Sequence, residues 1–152
     1  MRLSTNVYSF LDDASVPPFE PPDHFTVMDA NCGLCAKGAR WIAKNDRDRK
    51  FRIVPMQSEL GAALMRHYGM SPDDPLSWLY VKEGRAYTSL DAIVRVGAEL
   101  GGIWKALGVF RVLPRRVQDY LYGIVARNRY RFLGRASFCD IPDPDVQARI
   151  MQ

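Results

Sequence analysis

The fold is decided by the stretch from His24 to Cys35, which reads HFTVMDANCGLC. Its first half, His24–Asp29, is a short run of β-prone residues and predicts a strand. Its second half brings two cysteines, Cys32 and Cys35, and after them apolar side chains recur at helical spacing as far as Asn45. The stretch therefore predicts a strand, a cysteine pair separated by two residues, and a helix that begins at the pair.

Beyond this stretch the chain alternates between strand and helix signals. Ser58 and Ser89 are each predicted to cap a helix, and Glu83–Gly84 is a tight-turn signal between two strands. The predicted elements are strands at 24–29, 51–55, 77–82 and 85–88, and helices at 35–45, 58–68 and 90–100. The order β-α-β-α-β-β-α predicts an α/β fold of the thioredoxin-like type, with a mixed sheet.

The 152 residues suit one domain, which we divide into three parts. Residues 1–23 form an irregular arm with two Pro-Pro pairs, and residues 24–102 form the thioredoxin-like core. Residues 103–152 form a basic helical extension packed on the same domain, helical to about residue 131 with a break at Pro114. A short last helix is expected from about Pro144.

The basic extension has an uneven charge. Between Ile103 and Arg135 eight basic residues face one acidic residue, a net charge of +7, so the rest of the chain sums to −3. One interpretation is an amphipathic helical pair whose basic face is simply solvated. The other is a surface that meets anions, lipid head groups or an acidic partner.

Composition and segment lengths exclude several classes of protein. The chain is 47% hydrophobic and 25% charged, as in ordinary soluble proteins. We expect no transmembrane segment, because no apolar run reaches the roughly 18 residues needed, and no signal peptide begins the chain. Nucleic-acid binding is not expected either, since the charge is modest and no known motif occurs. The predicted location is cytoplasmic, a reducing compartment where a close cysteine pair is catalytic, redox-sensing or metal-binding.

The position of the cysteine pair indicates redox chemistry. A thiolate is the reactive form of cysteine, and the unpaired amides at a helix N-terminus stabilise an anion. We expect Cys32 to be the more exposed sulfur and the nucleophile, and Cys35 to be the resolving thiol one turn later. Asp29 is predicted either to move the proton of Cys35 or to cap the helix, and Asn31 is the alternative cap.

Two other interpretations of the pair remain open at this stage. The cysteines could be small buried residues at helical spacing. They could also bind a metal with Cys139, but zinc usually takes four ligands, and Cys139, His24 and His67 form no second clustered pair. We therefore predict no metal and no cofactor, and expect Cys139 to be buried.

Asp29, Cys32, Leu34 and Cys35 match the motif D-G-x-C-x-L/F-C of the DCC family of thiol-disulfide oxidoreductases, which this chain resembles. The resemblance continues from about residue 25 to 145, through Phe51–Gln57, Ser89–Ala92 and Ala126–Gly134, and reaches Cys139 and Pro142. It implies a thioredoxin-like fold and an enzyme that exchanges electrons with a disulfide- or dithiol-bearing protein or a small thiol. The alternative functions are a non-enzymatic module that docks on partners or membrane surfaces, and a metal-binding site.

The chain departs from the family motif beside the cysteines. Ala30 stands where the family has glycine, and Asn31 where an acidic or variable residue precedes the first cysteine. Thioredoxins also carry a cis-proline that faces the active site just before the third strand. Pro75 lies near that position, and Ser77 is the other residue expected to face the cysteines.

Overall fold

A four-stranded mixed sheet forms the centre of the computed structural model, which describes residues 6–72, 78–134 and 143–151. The strands are β1 (His24–Met28), β2 (Phe51–Pro55), β3 (Leu79–Lys82) and β4 (Arg85–Thr88), and they lie in the order β2-β1-β3-β4. β1 pairs in parallel with β2 and antiparallel with β3, which pairs antiparallel with β4. All residues of β1 are buried, as expected for an inner strand covered on both faces.

Helices cover both faces of this sheet. The α-helices are α1 (Gly33–Asn45), α2 (Glu59–His67), α3 (Ser89–Leu100), α4 (Arg115–Leu133) and α5 (Pro144–Gln147), and 3-10 helices span Ser9–Asp12 and Gly102–Val112. The buried side chains of α1 and α3 share one core with one sheet face, and those of α2 share a second core with the other. The α/β thioredoxin-like fold predicted from the sequence is confirmed.

The connection from β2 into α2 is close-packed. Ser58 caps α2 by accepting a hydrogen bond from the Gly61 amide at 3.0 Å, as the sequence predicts. A Cβ at Gly61 would lie 2.0 Å from the Pro55 carbonyl oxygen, so only glycine fits there. This contact holds α2 directly against the end of β2, next to Gln57.

The N-terminal arm is more ordered than predicted. Its 3-10 helix buries Phe10, whose ring stacks on Phe19 at 5.7 Å and meets Phe25 edge-on at 6.0 Å. The prediction of an irregular arm is therefore wrong for Ser9–Asp12, where aromatic packing against the sheet fixes the backbone. The cap of α3 is also one residue earlier than expected, at Thr88.

Most of the extension packs on the helices, and its C-terminal end reaches the sheet. The second 3-10 helix lies against α3, and α4 contacts both α1 and α3. The Trp104 indole N–H donates to the Asn45 side chain at 2.9 Å, and its ring meets Trp41 edge-on. Ile150 forms a parallel bridge to Ile53, which brings the C-terminal segment to the edge of β2. Among the described residues no helix is long and apolar enough to cross a membrane.

Candidate functional site

The two cysteines lie at the junction between the end of β1 and the start of α1. β1 ends at Met28, and the Cys32 amide donates to the Asp29 carbonyl at 3.3 Å in the turn that follows. Cys32 occupies the N-cap of α1 and Cys35 lies in its first turn. The Gly33 amide donates to the carbonyl of Gly134 just beyond α4, so the extension is tied to the site. The predicted order of strand, cysteine pair and helix is confirmed, and Asn31 is not the cap.

No disulfide joins the two sulfurs, and they differ in environment. Cys32 is completely buried, whereas Cys35 is 9% exposed, so the expectation that Cys32 is the more exposed sulfur is wrong. The hydrogen bond between Cys35 and Cys32, followed by burial, raises the pKa of the Cys35 thiol. The charge of Asp29 acts in the same direction, while a backbone hydrogen bond from Asp29 opposes it. Cys35 therefore keeps its proton at neutral pH.

A buried carboxylate lies beside this pair. Asp29 Oδ1 accepts hydrogen bonds from the Gln57 side chain at 2.8 Å and from the Asn31 amide at 3.0 Å. Gln57 Oε1 in turn accepts from the Ala30 amide at 2.9 Å. Gln57 thus fixes both Asp29 and the turn before Cys32, since it follows β2 next to the end of β1. Ala30 fits this turn in place of glycine because its backbone is not left-handed.

A partly open apolar cavity of about 450 Å³ borders Cys35. Leu34, Cys35 and Trp41 of α1 form one wall, and Trp78 borders it before β3. The remaining walls come from α3, the second 3-10 helix and α4, through Ile93, Phe110 and Tyr122 among others. The extension therefore supplies part of the wall of a partly open cavity beside Cys35.

The model of the DCC1-like thiol-disulfide oxidoreductase family matches residues 26–135 of this chain. The chain belongs to this family. Its relatives include the uncharacterized protein YuxK of Bacillus subtilis (strain 168), which is 30% identical over 130 residues, 86% of this chain and 95% of that one. The DCC family protein At1g52590, chloroplastic, of Arabidopsis thaliana is 33% identical over 116 residues, 76% of this chain and 67% of that one. No solved structure gives a significant match.

The other predicted site residues of this DCC1-like protein are dispersed. Asn31 is exposed and contributes its backbone amide. His24 Nδ1 and the Tyr80 hydroxyl are hydrogen-bonded at 2.9 Å, and His67 contacts Asp13 at 2.6 Å, both away from the cysteines. Pro75, Ser77 and Cys139 lie outside the described residues. Within the described part of the chain no three His, Cys, Asp or Glu residues are grouped to hold a metal ion.

Sequence reasoning missed Gln57 and the cavity. Gln57 lies in the stretch Phe51–Gln57 that carries part of the family resemblance, and this was the available signal for it. The cavity had no such signal, because its walls come from five separate segments of the chain.

Proposed function

We propose that this protein is a thiol-disulfide oxidoreductase in which Cys32 and Cys35 exchange electrons with a disulfide or dithiol. The observation that carries the proposal is the hydrogen-bonded cysteine pair at the start of α1, next to the buried carboxylate of Asp29. Membership of the DCC1-like family supports redox chemistry in general. The partner is a protein or a small thiol in the cytoplasm.

The two sulfurs take different roles in the proposed reaction. Cys32 is the nucleophile because the helix N-terminus favours a thiolate there, while Cys35 keeps its proton. The Cys32 thiolate attacks one sulfur of the substrate disulfide, whose S–S bond breaks. One half leaves as a thiolate and takes a proton, and the other half stays on Cys32 as a mixed disulfide.

The second step needs Cys35 to lose its proton. Asp29 accepts that proton, and the Cys35 thiolate attacks Cys32 Sγ. The second half of the substrate leaves as a thiolate and takes the proton from Asp29. The protein then holds a Cys32–Cys35 disulfide, and two electrons have reduced the substrate to two thiols. The same steps in reverse oxidise a dithiol.

Alkylation and mass spectrometry across a series of redox buffers test the proposal. We expect Cys32 and Cys35 to form one intramolecular disulfide with a single midpoint potential, while Cys139 alkylates independently of the buffer. The protein should also speed the reduction of a disulfide by dithiothreitol. A pair that stays reduced in every buffer would rule the proposal out.

The Asp29→Asn variant tests the proton transfer. Asn keeps a side-chain oxygen for Gln57 and the Asn31 amide but is no longer a base, so we expect resolution of the mixed disulfide to slow by about a hundredfold. The measurement is the release of the second thiol from a preformed mixed disulfide in stopped flow. Asp48→Asn, at an exposed position, is the control for the loss of charge. A rate equal to the wild type would show that Asp29 has only a structural role.

A second candidate function is docking on an anionic membrane surface. Ile103 and Val112 on the second 3-10 helix are 78% and 83% exposed, and Tyr120 on α4 is also exposed. We propose that an anionic bilayer covers this face, because exposed apolar side chains alternate there with arginines. Each basic side chain near such a surface contributes about 1 kcal/mol.

Sedimentation with vesicles checks the docking. We expect binding to vesicles that contain phosphatidylglycerol, weaker binding in high salt, and none to pure phosphatidylcholine. Val112→Asp should abolish it, whereas Val7→Asp, at an exposed apolar position of the N-terminal arm, should not. Cys32→Ser should bind like the wild type. If the protein binds neither kind of vesicle, the lipid proposal is refuted and a protein is the remaining partner for this face.

A further inference from the structure

The cavity beside Cys35 has the size of a ligand site. Its volume of about 450 Å³ falls within the range of small-molecule pockets, about 300–1,000 Å³. The space arises because the second 3-10 helix and α4 span the gap between α1 and α3 without filling it.

The walls define what can occupy this space. They are formed almost entirely by apolar and aromatic side chains, including Trp41 and Trp78, which offer water few hydrogen-bond partners. A polar ligand such as a peptide would lose its hydrogen bonds to water on entry without replacing them. The cavity therefore favours an aliphatic or aromatic occupant.

Two residues that border the cavity, Cys35 and Lys37, carry a thiol and an ammonium group. Cys35 borders one end of the cavity, so a sulfur atom there lies beside the Cys35 thiol, which is hydrogen-bonded to Cys32 behind it. Lys37 also borders the cavity, and because it is exposed its ammonium group reaches solvent at the rim. A molecule with an apolar body, a sulfur at one end and an anionic group at the other matches this layout.

We propose that this cavity is the substrate site of the protein, and that it holds the alkyl or aryl body of a small acidic disulfide. The inference rests on the proposed oxidoreductase function and adds the substrate class to it. The sulfur of the bound half lies at Cys35, and its carboxylate pairs with Lys37. Cys35 is then in place to resolve the mixed disulfide on Cys32. Oxidised glutathione, whose body is a polar peptide, is excluded from the cavity.

Binding is tested separately from catalysis with octanoate, an apolar carboxylate that contains no sulfur. Two of the three tryptophans of the chain border the cavity, so octanoate should change the intrinsic fluorescence of the reduced full-length protein. Ile93→Phe and Val125→Phe place extra volume in the walls and should each weaken binding by about tenfold or more. Ile124→Phe is the matched control on α4, since Ile124 is exposed and does not border the cavity. Lys37→Gln should weaken binding of octanoate but not of octanol.

Catalysis is tested with two disulfides, dithiodibutyric acid and oxidised glutathione. We expect the wild type to reduce dithiodibutyric acid with a kcat/KM at least about tenfold higher than its kcat/KM for oxidised glutathione. Val125→Phe should raise KM for dithiodibutyric acid, whereas Ile124→Phe, which does not alter the cavity wall, should leave KM at its wild-type value.

The outcomes separate this inference from the function it rests on. Reduction of both disulfides at equal rates, with no octanoate binding, would overturn the cavity as a substrate site and leave the oxidoreductase intact. Octanoate binding without reduction of any disulfide would refute the oxidoreductase and, with it, the substrate role. Equal weakening of binding by Ile124→Phe and Val125→Phe would place the ligand elsewhere.

Discussion

The Cys32→Ser variant is expected to exchange disulfides no faster than the reaction without protein. A serine hydroxyl is not ionised at neutral pH and cannot form a disulfide, so both half-reactions are lost. Cys35→Ser should instead attack once and stop, because the mixed disulfide on Cys32 has no second thiol to release it. The measurements are the steady-state rate and the intact mass after mixing with a disulfide. Cys139→Ser is the matched control and should keep the wild-type rate.

This pair of variants also decides between two physical arguments about the roles of the sulfurs. Access favours Cys35, which is slightly exposed and borders the cavity, over the fully buried Cys32. Acidity favours Cys32, because its hydrogen bond to Cys35 raises the pKa of the Cys35 thiol. We expect acidity to prevail, since only a thiolate attacks.

The pH dependence of alkylation also tests which of the two sulfurs is the nucleophile. Because its pKa is raised, Cys35 should be labelled by iodoacetamide at a higher pH than an ordinary cysteine, and its labelling should increase with pH. Cys32, at the N-terminus of α1, should be labelled at a lower pH than Cys35. Trapping of the mixed disulfide in Cys32→Ser rather than in Cys35→Ser would reverse the assignment.

The fold could be predicted from the sequence where local signals agree with tertiary packing. The run of β-prone residues before the cysteine pair and the helical spacing after it gave β1 and α1 to within two residues. The serine before α2 caps it as expected. Local signals failed for the arm, where Phe10 packs against Phe19 and Phe25 across the chain.

The candidate site could be predicted from the sequence only in part, because some of its contacts depend on long-range packing. The residues Asp29, Cys32 and Cys35 lie within seven consecutive residues, so their proximity follows from spacing alone. Gln57 reaches Asp29 only because β1 and β2 pair in parallel with Met28 opposite Pro55, a register that the sequence does not specify. The burial of Cys32 depends in the same way on long-range packing.

The buried ion pair between Asp46 and Arg149 is a feature of the fold that the sequence pattern does not predict. Asp46 belongs to a cluster of polar residues after α1 that is typical of a solvated turn, yet it is buried and paired with Arg149. Arg149 also donates to the carbonyl oxygens of Asp46 and Phe51, at 3.2 and 3.4 Å. The Asp46 carboxylate accepts from the amides of Lys50 and Phe51 as well. The pair therefore joins the C-terminal segment to the turn between α1 and β2.

Removing one partner of this pair should be strongly destabilising. We expect Arg149→Met to lower the free energy of unfolding by about 3–5 kcal/mol, because Asp46 would remain charged and buried without its partner. The measurement is the urea midpoint at constant m-value, followed by fluorescence. Arg49→Met is the matched control: its ion pair with Asp145 is 68% and 55% exposed, and its loss should change stability by about 1 kcal/mol or less.

The double variant Asp46→Asn with Arg149→Met separates the charge from the packing. Asn cannot leave an uncompensated charge in the core, so most of the lost stability should return if the buried carboxylate is the cause. If the double variant is as unstable as Arg149→Met, the loss lies in the bridge between Ile53 and the C-terminal segment instead. α5 packs on α1, the helix that carries Cys35. We therefore expect a variant to raise the alkylation rate of Cys35 only if it breaks the bridge between Ile53 and the C-terminal segment.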